Sequence, residues 1–333
     1  MTEDATAILA IHPDQARHLF PGNDAAIARR FRDLAKLWHP DRNPTADAAI
    51  VFAHIVALHD VAKAGPKVRE RRFRTLAGRD YRLRWRRQHA GPFGDVLVGD
   101  TFIAHLVPPD LGDLAARAAA FRPRFADAAM QGEMERILPR SEAVLETADG
   151  HVFVERKASD EILLADLLTA GPVDPRHAAW MATRLVNLAC WLQWRGIAHG
   201  AIGPHNLLVS PARHSIALTG PFLCAGAFGT RPAALPERTL DAAPRYGAVG
   251  ALLDPRLDPE LVRLTLREAL GDPAGTRLAA DSDFPRPFAT WLLMAPADGA
   301  AADFAAWERA RDAAFGPRRF IRWDIDIAAM MAA

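Results

Sequence analysis

The sequence predicts a multidomain α+β protein: an all-α helical hairpin first, then a small antiparallel sheet, then a mainly helical region. Three observations predict it. Apolar residues recur at three- and four-residue spacing between Asp24 and Ala64, short apolar runs bounded by turn residues follow between Tyr81 and Glu155, and helical spacing returns from Leu163 onward. With 333 residues, 50% hydrophobic and 24% charged, the chain is long enough for two or three globular domains.

Ala5 to Ile11 reads as a short helix. In the stretch Asp24 to Asn43, DAAIARRFRDLAKLWHPDRN, residues Ile27, Phe31, Leu34, Ala35 and Trp38 make one apolar stripe. Arg29, Arg30, Arg32 and Lys36 lie largely off it, so one face packs and the other is free to meet a partner. Pro40 lacks an N–H and biases His39 away from helical geometry, which ends the helix and places His39-Pro40-Asp41 in an exposed loop. Ala46 to Ala64 resumes helical spacing through Ile50, Phe52, Ile55, Val56 and Val61, completing an antiparallel hairpin.

The phrase FRDLAKLWHPDRNP resembles the J domain, the Hsp70-stimulating module of DnaJ-type co-chaperones. The resemblance implies a J domain over residues 1–66 whose partner is an Hsp70 of the DnaK type. It further implies that Arg29, Arg30, Arg32 and Lys36 dock on the Hsp70 ATPase domain and that His39, Pro40 and Asp41 trigger hydrolysis there. The alternative for the tripeptide is a helix-stopping proline with solvated neighbours. A second copy, His12-Pro13-Asp14, has no basic helix before it and reads as a coincidence. The family's short fourth helix is not evident, because Gly65-Pro66 begins something different.

Residues 67–80 read as a basic linker. From Lys67 to Arg87 there are ten Arg or Lys against Glu70 and Asp80, a local charge of +8, with Phe73, Tyr81 and Trp85 interleaved. Such a run is usually a solvated face; gripping nucleic-acid phosphates is the other reading and defines an adaptor function as one alternative. A formal net charge of +1 for the whole chain gives no global pull toward nucleic acid, which is not the expected partner.

Strands are expected at Tyr81 to Arg86, Asp95 to Val98, Thr101 to Val107, Val144 to Thr147 and His151 to Glu155, with a helix at Leu111 to Phe121. Gly91-Pro92-Phe93-Gly94, Gly99-Asp100 and Asp149-Gly150 supply the turns. Helices follow at Leu163 to Leu168 and at His177 to Arg195, the latter with a core stripe of Trp180, Leu185, Leu188, Ala189 and Leu192.

The next phrase, GIAHGAIGPHNLLV (196–209), resembles the catalytic loop of protein-kinase-like folds through His199, Pro204, Asn206, Leu207 and Leu208. The resemblance implies a bilobal domain, with a small sheet lobe over 81–158 and a helical lobe over 159–280. It also implies loss of catalysis. Ala201 stands at the position of the catalytic Asp, and Thr219 or Gly220 at that of the metal-binding Asp. His105 or Leu106 stands at that of the ATP-binding Lys. Glu133 or Glu135 fits the position that pairs with that Lys. Gly91 to Gly94 sits where a phosphate-covering loop belongs, and Tyr246 to Leu253 and Arg267 to Arg277 resemble the central and late helices of the large lobe. Asn206 and His199 read equally as residues that tie loops together through hydrogen bonds. An unrelated α+β domain is the alternative for the whole region.

Residues 281–333 form a C-terminal extension with a helix at Phe304 to Phe315 and, from Phe320 to Ile327, the alternation of a half-buried strand. No apolar run approaches 18 residues and no charged-then-apolar leader follows Met1, so no membrane partner is expected. Cys190 and Cys224 in apolar surroundings fit buried thiols of a reducing, cytoplasmic compartment. The expectation is a cytoplasmic, non-enzymatic co-chaperone with no metal and no cofactor, whose inactive kinase-like domain holds a client protein. A nucleotide-binding protein or atypical phosphotransferase is the competing class.

Overall fold

The structure, a computed structural model, describes residues 4–11, 16–22, 24–64, 68–242, 252–317 and 319–331. The chain is mixed α+β and divides into two compact units. The first comprises residues up to 71 with 84–87 and 326 onward; the second comprises 72–83 and 88–325.

In the first unit, helices Asp24–Trp38 and Ala48–Ala64 form the hairpin, with Ala5–Leu9 and Ala16–Leu19 packed on the second of them. The stripe spacing explains the arrangement: Ile27 and Leu34 are buried with Ile8, Phe20, Val51, Ile55 and Leu58, while Phe31 and Trp38 close the cluster at its edge. Burying each such side chain contributes about 1.5–3 kcal/mol. Phe31 stacks on His59 at 4.1 Å, holding the two helices in register. Asp24 in the first turn suits the positive end of the helix dipole. The second HPD copy at 12–14 and the Gly65-Pro66 boundary lie outside the described residues.

In the second unit a five-stranded sheet runs in the order Arg87–Gly91, Gly94–Val98, Phe102–Val107, Gly150–Arg156, Ser141–Thr147. Its last four strands pair antiparallel, with Val96 opposite His105 and His105 opposite Phe153. Helix Gly112–Ala120 packs on the sheet, Ala115 against Val107 and Phe153. The basic stretch differs from the linker expected: Arg69–Arg74 is itself a strand, paired with Asp80–Trp85. Only Phe73 of RERRFR is buried, so the sequence carries no alternation to announce it.

The helical part is built on Pro175–Trp194. Asp174 accepts the Arg176 N–H at 2.8 Å and Pro175 occupies the first helical position, a start that satisfies donors which otherwise lack acceptors. Leu257–Ala269 and Ala300–Phe315 pack on this helix, and Arg286–Leu293 packs on both of those. The C-terminal helices are therefore part of the second unit's core, with Trp307 fully buried against Phe288 and Trp291. Of the expected central helix at Tyr246 to Leu253, residues 246–251 lie outside the described residues, and the long helix here is Leu257–Ala269.

The strand expected at Phe320 to Ile327 is absent. Residues 319–326 have no ladder; instead Phe320 stacks on His214 at 4.3 Å and Trp323 on His177 at 4.4 Å, and Ile327–Met331 is a short helix. No helix among the described residues is long and apolar enough to cross a membrane.

Candidate functional sites

The first site is the loop after Asp24–Trp38. The His39 N–H closes the helix on the Ala35 carbonyl at 2.9 Å, and the His39 carbonyl then accepts the N–H groups of both Arg42 and Asn43 at 2.9 Å. Pro40, with no N–H to place, sits in the tight turn this leaves. Asn43 fastens the far side: its amide donates to Leu37 O at 3.0 Å, and its Oδ1 accepts from the N–H and hydroxyl of Thr45. The loop is thus held by backbone and Asn43 together. His39 sets its ring edge on Phe52 at 5.0 Å and accepts the Asp41 N–H on Nδ1 at 3.2 Å. An Nδ1 that accepts leaves the ring proton on Nε2, free to donate outward. The Asp41 side chain is 84% exposed.

Arg29, Arg32 and Lys36 are exposed, and their spacing places them on the helix face opposite Ile27 and Leu34. Arg30 is not on that face: it is half-buried at the flank of the apolar stripe. Lys36 approaches Asp33 only at 4.0 Å, a contact worth little in water.

The second site is a cleft of about 480 Å³ in the second unit. Its walls include the Gly91–Gly94 turn, His105 on the third strand, the loop 199–206, and Thr219. Gly94 is required where it stands: at φ +138° its position would put a Cβ 2.0 Å from the Leu106 carbonyl.

The loop is organised from beneath. Asp258, on Leu257–Ala269, is buried and accepts the N–H groups of His199 at 2.7 Å and Gly200 at 2.8 Å. Burial pushes its carboxyl up to about 6, and the two N–H groups oppose that rise. Within the loop, Asn206 spends both ends of its amide, accepting Gly203 N–H at 2.8 Å and donating to Ala201 O at 2.6 Å. The Ala201 N–H donates to His199 Nδ1 at 3.3 Å, and burial holds the His199 ring down to about 4, so it is neutral. Each of these side chains is engaged in holding the loop.

Opposite the loop, His105 and Thr219 meet across the cleft wall. The Thr219 hydroxyl donates to Glu155 Oε2 at 2.7 Å and so accepts from His105 Nε2 at 3.1 Å; the Gly220 N–H donates to Glu155 at 2.9 and 3.1 Å. Gly220, at φ +97°, is needed because a Cβ there would press on the His105 ring at 3.0 Å. Burial holds His105 down to about 4 and raises Glu155 to about 7, the latter against the Thr219 and Gly220 hydrogen bonds and Arg140. At the positions that the kinase-like resemblance assigns to a lysine and a metal-binding carboxylate stand His105 and Thr219, joined to each other and, through the Thr219 hydroxyl, to Glu155. Glu133 and Glu135 are not part of this network. Glu133 lies 3.8 Å from Arg184 and Glu135 accepts from Gln131, both on the surface.

Glu155 and Asp258 were not singled out from the sequence. Glu155 had a partial signal, being the one acid in the run His151 to Glu155; that it shares a side of the sheet with Phe153 and His105 follows only from the strand pairing, in which it lies opposite Ile103. Asp258 had none, since its partners lie nearly 60 residues away. No group of three or more acids, histidines or cysteines able to hold a metal ion occurs among the described residues. Neither a family model nor a curated protein sequence matches this chain.

The pair of neutral histidines and the pair of raised carboxyls act oppositely on stability. A histidine held down to about 4 stabilises above its unfolded value near 6.5 and loses that contribution as pH falls toward 4. Glu155, raised to about 7, contributes below its unfolded value near 4.5 and loses that contribution as pH rises through 7. Glu155→Gln removes one opposing group, so the variant's stability falls more steeply than wild type between pH 7 and pH 5. Urea midpoints across that range check this; parallel curves refute it.

Proposed function

We propose that this chain is a J-domain-type co-chaperone that stimulates the ATPase of a DnaK-type Hsp70. The observation that carries the reading is the loop His39-Pro40-Asp41, with Pro40 and Asp41 exposed and His39 half-buried, locally braced at the end of a helix whose outer face presents Arg29, Arg32 and Lys36. In this reading the basic face supplies long-range attraction to an acidic patch on the chaperone. Asp41, with its carboxylate in solvent, and His39, with an Nε2 proton to donate, make the specific contacts. Arg30 contributes least, because it is turned toward the flank. The attraction is screened over about 8–10 Å at 0.1–0.15 M salt. Stimulation is therefore expected to weaken as salt rises, and Arg32→Glu with Lys36→Glu to weaken it further while the hairpin remains folded by circular dichroism. Stimulation indifferent to both would argue against the docking face.

The second unit is proposed as a kinase-like scaffold without phosphoryl transfer, which holds the client or assembly target. Support comes from the sheet order, with the strand Gly150–Arg156 inserted between Phe102–Val107 and Ser141–Thr147, and from the glycine-bounded turn over a cleft facing loop 199–206. Phosphoryl transfer is driven by charge arranged on phosphate, metal and nucleophile. Here Ala201 and Thr219 offer no carboxylate, and His105 is neutral and engaged. The cleft volume favours one competing reading, a nucleotide-binding protein. Thermal shift separates them: Mg-ATP at a hundred times its dissociation constant adds about 2.7 kcal/mol if the cleft binds it, and the scaffold reading expects no shift.

A further inference from the structure

Glu155 is an anomaly of charge. The residue is only 4% exposed, its two oxygens accept from the Thr219 hydroxyl and the Gly220 N–H, and no lysine or arginine among the described residues comes within ion-pair distance of it. A carboxylate taken out of water without a cation costs several kcal/mol, which neutral hydrogen bonds offset only in part. The same residue is among those lining a second cavity, of about 440 Å³, whose other walls include Phe121, Leu138, Val144, Phe153 and Phe222. Phe121 and Phe222 stack there at 4.2 Å and 12°. Two donors do not exhaust a carboxylate, which has about four acceptor positions.

We propose that this cavity is a binding site for a small primary amine with an aromatic or aliphatic body, its ammonium paired with Glu155. Other ligand chemistries fit the cavity less well. An anion meets the carboxylate directly and is repelled. A neutral apolar molecule fills the volume and leaves the carboxylate unpaired. A hard metal ion wants six or more oxygen ligands, whereas one carboxylate in an aromatic box supplies too few. An organic ammonium answers both features, since the charge pairs with Glu155 and the ring faces attract the cation as well as the body. The volume lies in the range of small-molecule pockets.

The two arginines nearest this occupant are both held by other partners. Arg140 favours the ionised carboxylate at a distance and is itself bonded to Glu161 at 2.7 Å. Arg122 lines the cavity, exposed, with its guanidinium held by the Ala119 and Phe121 carbonyls at 2.7 and 2.8 Å. His105 reaches Glu155 only through Thr219 and is neutral. Binding therefore displaces the carboxyl proton, and affinity tracks the ionised fraction of Glu155. The site is independent of the co-chaperone reading.

The test uses the full chain and 2-phenylethylamine, with 2-phenylethanol and phenylacetate as uncharged and anionic controls, by titration calorimetry at pH 6 and pH 8. The amine is expected to bind about tenfold tighter at pH 8, the ratio set by a carboxyl titrating near 7. The alcohol is expected to bind more weakly without pH dependence, and phenylacetate not at all. Glu155→Gln, which keeps an acceptor for Gly220 and Thr219, abolishes both the amine preference and its pH dependence. Val144→Trp, which fills the cavity from its half-exposed side, abolishes binding with the carboxyl untouched. Equal affinity for amine and alcohol, amine binding retained by Glu155→Gln, or no amine binding at millimolar concentration overturns the proposal.

Discussion

Replacing Arg263 by alanine is expected to destabilise the protein by about 3–5 kcal/mol, the cost of leaving one half of a buried ion pair alone. Both partners are almost completely buried, at 2% and 1% side-chain exposure. The guanidinium gives Nη1 to Asp303 Oδ2 at 2.9 Å and Nη2 to Oδ1 at 2.5 Å, while its Nε donates to the Trp291 carbonyl at 3.0 Å. It also lies 4.3 Å over the Trp291 ring, so the arginine joins helices Leu257–Ala269, Arg286–Leu293 and Ala300–Phe315 at one point. Alanine removes every one of these bonds and strands the Asp303 carboxylate, apart from its contact with the Ala297 N–H at 3.2 Å. Urea unfolding followed by tryptophan fluorescence measures the loss. The double variant Arg263→Met with Asp303→Leu should recover much of it, because no charge is then left buried. A single-variant loss below about 1 kcal/mol would mean that the pair is not as desolvated as its burial implies.

The second large effect is expected at Asp258. Its alanine variant leaves two buried N–H groups, those of His199 and Gly200, without acceptors, at about 1–3 kcal/mol each. Asp258→Asn keeps one acceptor and turns an N–H₂ toward the second donor, so it should fall between wild type and alanine. Because the loop carries Ala201 and Asn206 into the cleft wall, hydrogen exchange should rise selectively across residues 199–206 in both variants. Unchanged exchange there, with a global loss of stability, would show that Asp258 supports the helix and not the loop.

Both residues lie beyond what periodicity can show. The helix Asp24–Trp38 was legible because its own spacing buries Ile27 and Leu34, and the strand Phe102–Val107 because Gly99-Asp100 opens an apolar run. Local spacing reports which face of an element is buried, whatever covers it. It reports nothing of a carboxylate that crosses to a guanidinium 40 positions away. The residues from Phe320 to Ile327 illustrate the same limit in reverse. Their alternation does mark extended chain with one side covered: Ile321, Trp323 and Ile325 are half-buried and their neighbours exposed. Trp323 is covered by the rings of His177 and Trp180 and not by a strand, so the period was informative and the element was not formed. At the cleft, the residues on loop 199–206 could be located from the phrase they sit in. Glu155, whose position depends on the register of two strands, required the sheet.

The central claim is that the His39-Pro40-Asp41 loop acts on an Hsp70. Single-turnover ATP hydrolysis by a DnaK-type Hsp70, measured alone, with the wild-type chain and with Asp41→Asn, tests it most directly. Asp41 is 84% exposed, its backbone N–H bonds His39 Nδ1, and its Oδ2 lies 3.6 Å from the same nitrogen, a contact that Asn can keep, so the substitution is expected to leave the fold intact. The account predicts faster hydrolysis with wild type and none of that gain with Asp41→Asn. Equal acceleration by both proteins would contradict it.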